Sequence, residues 1–174
     1  MSAEASRPIH AGDFVLIDVW GKQNKPGAVY FDITWTGFVG TEIPRRFVDV
    51  FEIVKDARNA AVDFVQAAMT SGRTIHGYEV DDVARQVITR SGYGANFVHR
   101  TGHSIGEDVH ANGANIDNFE TRDTRPIIPG ICFSIEPGIN LEDFGVRSEV
   151  NVFVEENNAR VTGEVQTAVV PILG

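Results

Sequence analysis

Three of the five histidines in this 174-residue chain, His99, His103 and His110, fall within twelve residues, and glycines flank the middle one. Four carboxylates sit in apolar runs elsewhere: Asp18 and Asp32 upstream, Glu136 and Glu149 downstream. An unpaired buried carboxylate is costly, so apolar strands seldom contain one. Any single one could be the structural partner of a nearby arginine or a backbone cap. Four of them together with a glycine-flanked histidine suggest convergence on one centre. Hard divalent cations prefer oxygen ligands with an occasional imidazole, so this set suits two Mn2+-like ions. Bridging carboxylates would hold such ions ~3.5–4 Å apart with a shared hydroxide as nucleophile.

The elements that would position these groups are readable from periodicity. Residues 1–11 are a polar lead-in, and 12–174 read as a single domain. Phe14 to Trp20 reads as a buried strand, with Leu16, Asp18 and Trp20 on one face and Val15, Ile17 and Val19 on the other. A turn with Asn24 and Pro26 leads to a second strand, Ala28 to Thr36. Its apolar face is Val29, Phe31, Ile33 and Trp35; its polar face is Tyr30, Asp32, Thr34 and Thr36. As a hairpin, the two strands bring Asp18 and Asp32 onto one polar face.

A long helix begins at about Pro44, keeps a 3.6-residue apolar stripe from Phe47 to Ala68, and stops at Ser71-Gly72. A second helix spans about Tyr78 to Arg90. From Gly94 the pattern changes to short strands. Ile131 to Glu136 alternates, with Cys132, Ser134 and Glu136 sharing a face. Val146 to Val154 also alternates, placing Arg147, Glu149, Asn151 and Phe153 opposite a valine face. A pairing of Arg160-Val161 with Thr167 to Val170 is expected to close the sheet. The fold class is α+β, a curved antiparallel sheet with helices on one side.

Composition narrows the partners. A net charge of −9 argues against nucleic acid, whose binders concentrate Lys and Arg. With Cys132 as the one cysteine, no intramolecular disulfide forms, which fits a cytoplasmic location. No apolar run approaches the ~20 residues of a membrane helix, and no signal peptide is apparent.

Five motifs in order, Ile17-Asp18-Val19, Asp32-Ile33-Thr34, Thr101-Gly102-His103-Ser104-Ile105-Gly106, Ser134-Ile135-Glu136-Pro137-Gly138 and Val146-Arg147-Ser148-Glu149, resemble the pita-bread metallopeptidases. That family includes methionine aminopeptidases, aminopeptidase P and prolidase. The resemblance implies Asp18 as a terminal ligand of one metal, Asp32 and Glu149 as bridging ligands, and His103 and Glu136 completing the second metal's shell. It implies Glu136 as proton shuttle, and His99 and His110 as groups that hold substrate and stabilise the tetrahedral intermediate.

His99 and Arg147 resemble the proline-specific branch. The implied activity is hydrolysis of Xaa-Pro bonds in short peptides by a hydroxide bridging two divalent ions, most simply Mn2+, with Co2+ and Zn2+ as alternatives. A Xaa-Pro bond has no N–H, so a dedicated histidine-lined site suits it.

Some positions depart from the family. Its upstream functional histidine and first helices have no counterpart here, so the chain reads as an N-terminally truncated member. His10 is read as a loop residue, His76 as a polar residue near a helix start, and Cys132 and Trp35 as packing residues. Ala111 follows His110 where Glu is common. The missing helices predict apolar exposure at Val15, Ile17, Phe31 and Ile33 and hence self-association, most simply as a homodimer. A non-catalytic pita-bread binding module is the alternative, and a metal-free hydrolase resembling creatinase is a weaker one. The intact ligand set favours the peptidase.

Overall fold

The computed structural model describes residues 7–173, nearly all of the expected domain. Two strands, β1 (Phe14–Gly21) and β2 (Phe31–Phe38), are followed by two helices, α1 (Arg45–Ser71) and α2 (Gly77–Arg90). Seven short strands complete the fold: β3 (Ser104–Ile105), β4 (Cys132–Ile135), β5 (Gly138–Asn140), β6 (Gly145–Arg147), β7 (Val150–Val154), β8 (Ala159–Thr162) and β9 (Val170–Pro171).

The strands form three sheets, ordered β1-β2-β9, β3-β4-β7-β8 and β5-β6. The hairpin has the expected facing: Asp18 lies opposite Thr34, and Asp32 opposite Trp20. Its second strand starts later than Ala28, because Tyr30 turns aside and donates its N–H to the Gly106 carbonyl. The expected closure of Arg160-Val161 on Thr167 to Val170 does not occur. β8 instead pairs with β7, and Val170-Pro171 runs parallel to the end of β2. The run Val146 to Val154 is likewise two strands, broken at Ser148-Glu149, where the chain leaves β5 and joins β4.

α1 fulfils its stripe: Phe47, Val50, Phe51, Val54, Ala57, Ala61, Val65 and Ala68 are buried. It packs along α2 on one side and across β4 to β8 on the other. The core between them takes in Phe133, Ile135, Val150, Val152 and Val154, the apolar sides of β4 and β7. Their polar sides are thereby turned towards the hairpin. Gly72 ends α1 in the left-handed region at φ 69°, a conformation that glycine adopts without strain. His76 precedes the first residue of α2, and the Glu79 carboxylate accepts its main-chain N–H, so the position near a helix start is where this histidine sits.

β1 is a correction to the buried strand inferred from its composition. It pairs only with β2 among the described residues, and Ile17 and Trp20 are each 56% exposed. Its first residue is anchored, with the Phe14 ring stacked on Phe47 of α1 at 4.7 Å. Apolar content alone cannot distinguish a strand buried on both faces from an edge strand that lacks cover.

Candidate metal centre

The floor of the site is where β2 meets β7. Alternation turns Asp32 and Thr34 of β2 inward, and both are buried. Glu149, one residue before β7, faces them at 1% exposure, and Thr34 Oγ1 donates to its Oε2 at 2.8 Å. His103 enters from the segment just before β3, whose partner is β4. Gly102 lets this segment approach closely, since a Cβ there would stand 2.0 Å from the Ser134 carbonyl oxygen. Ser134 Oγ accepts the His103 N–H at 2.9 Å. Asp81 of α2 accepts both the N–H and the hydroxyl of Thr101, tying the segment to the helix layer.

Asp32, His103 and Glu149 each offer a ligand atom, and these atoms all lie within 4.8 Å of one another. His103 Nε2 is 3.4 Å from Asp32 Oδ2 and 3.4 Å from Glu136 Oε1. Its Nδ1 faces the Ser104 carbonyl at 3.2 Å, which fixes the Nδ1–H tautomer and aims Nε2 at the carboxylates. Asp32 Oδ1 and Glu149 Oε1 are buried with no hydrogen-bond partner among the described residues. Two such oxygens beside an imidazole nitrogen fit a divalent cation, the donor set that hard ions take.

The electrostatics agree. Burial, then the negative charges of Glu136 and Asp32, push the Glu149 carboxyl up to about 9. Burial also raises Glu136, against the pull of Arg147 and His103. Burial alone would lower His103, but its contact with Asp32 and the charge of Glu136 outweigh that and leave it raised. Carboxylates thus crowd together in a buried space, where burial and mutual repulsion favour the protonated form of Glu149.

The remaining expected residues surround this group in a cleft of ≈ 300 Å³ that Asp18, His99, His110 and Arg147 help to line. Asp18 is not among the three clustered ligands; Arg147 lies 2.8 Å from its Oδ2. Arg147 also approaches Glu136 at 3.5 Å. His99 directs Nδ1 to the Arg100 carbonyl at 2.7 Å, leaving Nε2 without a partner among the described residues. Burial, then the positive charge of Arg147, lower its pKa, which favours the neutral ring. The His110 ring stands edge-on to His103 at 4.3 Å, and burial and that neighbour lower its pKa too.

Residues that sequence reasoning passed over also line the cleft. Trp20, Arg100 and Glu120 are there, the last two forming a loose 3.9 Å pair. Trp20 shares the Asp18 face, which was a usable signal. Glu120 lies on an irregular loop without periodicity, so nothing marked it. His10 is exposed and bonds only locally to Asp13, as a loop residue does. Cys132 packs between Ile105 and Phe153 in the sheet register, and burial pushes its thiol up to about 11.

A carboxylate and histidine cluster at the junction of two sheets, under a cleft lined by further histidines, forms a donor set that could hold a divalent metal. The chain belongs to metallopeptidase family M24, whose sequence profile matches residues 1–156. It is 32% identical over 157 residues to a Xaa-Pro dipeptidase of Pyrococcus furiosus, covering 90% of this chain and 41% of that protein. Among solved structures it is similar to dipeptidase PepE of Mycobacterium ulcerans, with TM-score 0.79, 34% identity, and coverage of 95% of this chain and 42% of the other. A dipeptidase of Pyrococcus horikoshii gives TM-score 0.79 and 33% identity over 97% and 44% of the two chains. The fold is therefore the pita-bread fold, and the chain spans about two fifths of the length of these relatives. No described helix is long and apolar enough to cross a membrane.

Proposed function

We propose that this domain hydrolyses Xaa-Pro bonds of short peptides at a dinuclear centre held by Asp18, Asp32, His103, Glu136 and Glu149. The observation that carries this is the buried trio Asp32, His103 and Glu149, with an orphaned oxygen on each carboxylate. When bound, two divalent ions, Mn2+ by preference, would supply an activated water and polarise the scissile carbonyl.

The chain's own residues do the rest. Asp32 approaches from β2 and Glu149 from the break just before β7, and together they supply the shared negative charge. Asp18 would join them through the carboxylate that Arg147 contacts at Oδ2, and Arg147, lining the cleft, would meet substrate. Glu136, whose carboxyl is raised by burial, carries a proton from water to the leaving imino group. His99 presents Nε2 into the cleft, and His110 lies against the His103 ring, so the two flank the space above the centre. The relatives named as Xaa-Pro dipeptidases support this substrate class.

The test is calorimetric titration of the metal-stripped chain with Mn2+, followed by assay of Xaa-Pro dipeptides. Two ions per chain and proline release are expected. A folded chain that binds no Mn2+ would instead favour the non-catalytic module.

A further inference from the structure

β2 and β7 run together beneath the site without forming a ladder. The main-chain bond that joins them is the Glu149 N–H to the Thr34 carbonyl, at 3.2 Å. One side-chain amide, Asn151 of β7, takes the place of the absent ladder, and a second, Gln166 of the segment between β8 and β9, braces β2 further along. Asn151 Oδ1 accepts the Asp32 N–H at 3.0 Å, and its Nδ2 donates to the Asp32 carbonyl at 2.6 Å. Gln166 makes the same two bonds to Thr36, at 3.0 and 2.6 Å. Both amides are 1% exposed.

We propose that Asn151 is a positioning residue for the metal centre: gripping the main chain of Asp32 from the strand next to Glu149, it sets the separation of these two carboxylates. The inference rests on the metal-binding reading above. Asn151 and Glu149 are two residues apart on one face, as are Asp32 and Thr34 on theirs. The four residues hold one another crosswise, because Thr34 Oγ1 donates to Glu149 Oε2 while Asn151 grips Asp32.

Asn151 takes both main-chain atoms of Asp32 and makes no hydrogen bond to its carboxylate, so Oδ1 stays open and Oδ2 faces His103. An apolar side chain at 151 would strand a buried N–H and a buried carbonyl. The backbone at Asp32 would then shift to find other partners, carrying the carboxylate with it. Gln166 serves as an internal control. Its bonds to Thr36 are of the same kind, and its Nε2 also donates to the Ala168 carbonyl at 2.9 Å, but neither Thr36 nor Ala168 supplies a ligand.

The test uses the full chain, stripped of metal, as wild type, Asn151→Leu, Asn151→Thr and Gln166→Leu. Three quantities are measured: Mn2+ affinity by calorimetry, the visible absorption of the Co2+-loaded chain, and the melting temperature. Asn151→Leu is expected to weaken the tightest Mn2+ step about ten- to a hundredfold, as for other residues that hold metal ligands through hydrogen bonds. Its Co2+ bands should shift as well. Asn151→Thr, which keeps one bonding hydroxyl, should fall between. Gln166→Leu should melt lower but keep the wild-type Mn2+ affinity and Co2+ spectrum.

Wild-type affinity and spectrum in both Asn151 variants would overturn the proposal. So would an equal loss of Mn2+ binding in Gln166→Leu, which would make both amides general braces of the fold. If Asn151→Leu does not fold, Asn151→Thr against Gln166→Leu decides on the same criteria. A wild-type chain that binds no Mn2+ would instead remove the metal reading, and this inference with it.

Discussion

Arg147 Nη1 lies 2.8 Å from Asp18 Oδ2, joining the strand before Ser148-Glu149 to the edge strand of the hairpin. The pair is about one third exposed on each side, so its contribution to stability is small. Its meaning is opposition of charge, since the guanidinium on Asp18 Oδ2 repels a cation bound through the same carboxylate. Arg147→Gln should therefore raise Mn2+ affinity about two- to fivefold, the range that a partly exposed ion pair allows. Turnover of a Xaa-Pro dipeptide should fall at the same time, because the cleft loses a cation. Unchanged affinity in calorimetry would show that Asp18 is already available.

Glu149 makes the metal-free chain sensitive to pH. Its carboxyl is raised to about 9 in the fold from an ordinary value of 4.5. A group raised in this way favours folding fully below its unfolded value, and that contribution is lost as pH climbs towards 9. Thermal melts of the stripped chain should accordingly decline from about pH 4.5 to pH 9. Glu149→Gln should flatten this decline and melt higher at alkaline pH. Glu149→Ala should lose at least one bound ion and all turnover; retention of both ions would remove Glu149 from the ligand set. Mn2+ binding at pH 7 should release about one proton from this carboxyl, read from calorimetry in buffers of different ionisation enthalpy.

Gly102→Ala should lower stability and metal affinity together. The added Cβ would meet the Ser134 carbonyl oxygen at 2.0 Å and its carbon at 2.7 Å, and neither can move without shifting β4. Overpacking of this kind costs about 1–3 kcal/mol or more, which corresponds to a melting temperature lower by roughly 2–12 °C. Wild-type melting and Mn2+ affinity would show that the His103 segment is looser than this contact requires.

The outer face of the hairpin should drive self-association. Ile17 and Val19 are 56% and 52% exposed, opposite Trp35 and Ile33, with Phe31 nearby at 38%. Light scattering should give a mass above that of one chain, rising with concentration, and Ile17→Thr with Phe31→Thr should reduce it. A wild-type chain monodisperse as a monomer would contradict the expectation.

The hairpin and the helices were legible because their patterns are local. Period-two alternation put Asp18 and Asp32 on one face, and the apolar stripe of α1 ran to its glycine stop. What was not legible depends on partners distant in sequence. The break at Ser148-Glu149 arises because one run of residues serves two sheets. Arg58 sits within the helix stripe at 1% exposure, bonded to Ser148 Oγ at 2.5 Å and the Gln166 carbonyl at 2.9 Å. Burial lowers its pKa to about 10, and its guanidinium bonds go to Asn59, Ser148 and the Gln166 carbonyl. A charged residue on an apolar stripe gives no hint of which carbonyl it will find. The same holds for Asn151 and Gln166, whose polar side chains looked ordinary until the main chain of β2 came to lie beside them.

The exposed position of β1 divides the site by stability. Asp32, His103 and Glu149 are buried against the packed core. Asp18 rides on a strand secured by one ladder, by Phe14 at its start and by the partly exposed pair with Arg147. Such a strand belongs to the low-energy end of native fluctuations, where local opening precedes global unfolding. Hydrogen exchange should find the amides of β1 far less protected than those of β4 and β7. The two ions of the proposed centre would then load in sequence, the first onto a rigid trio and the second only as fast as the edge strand settles.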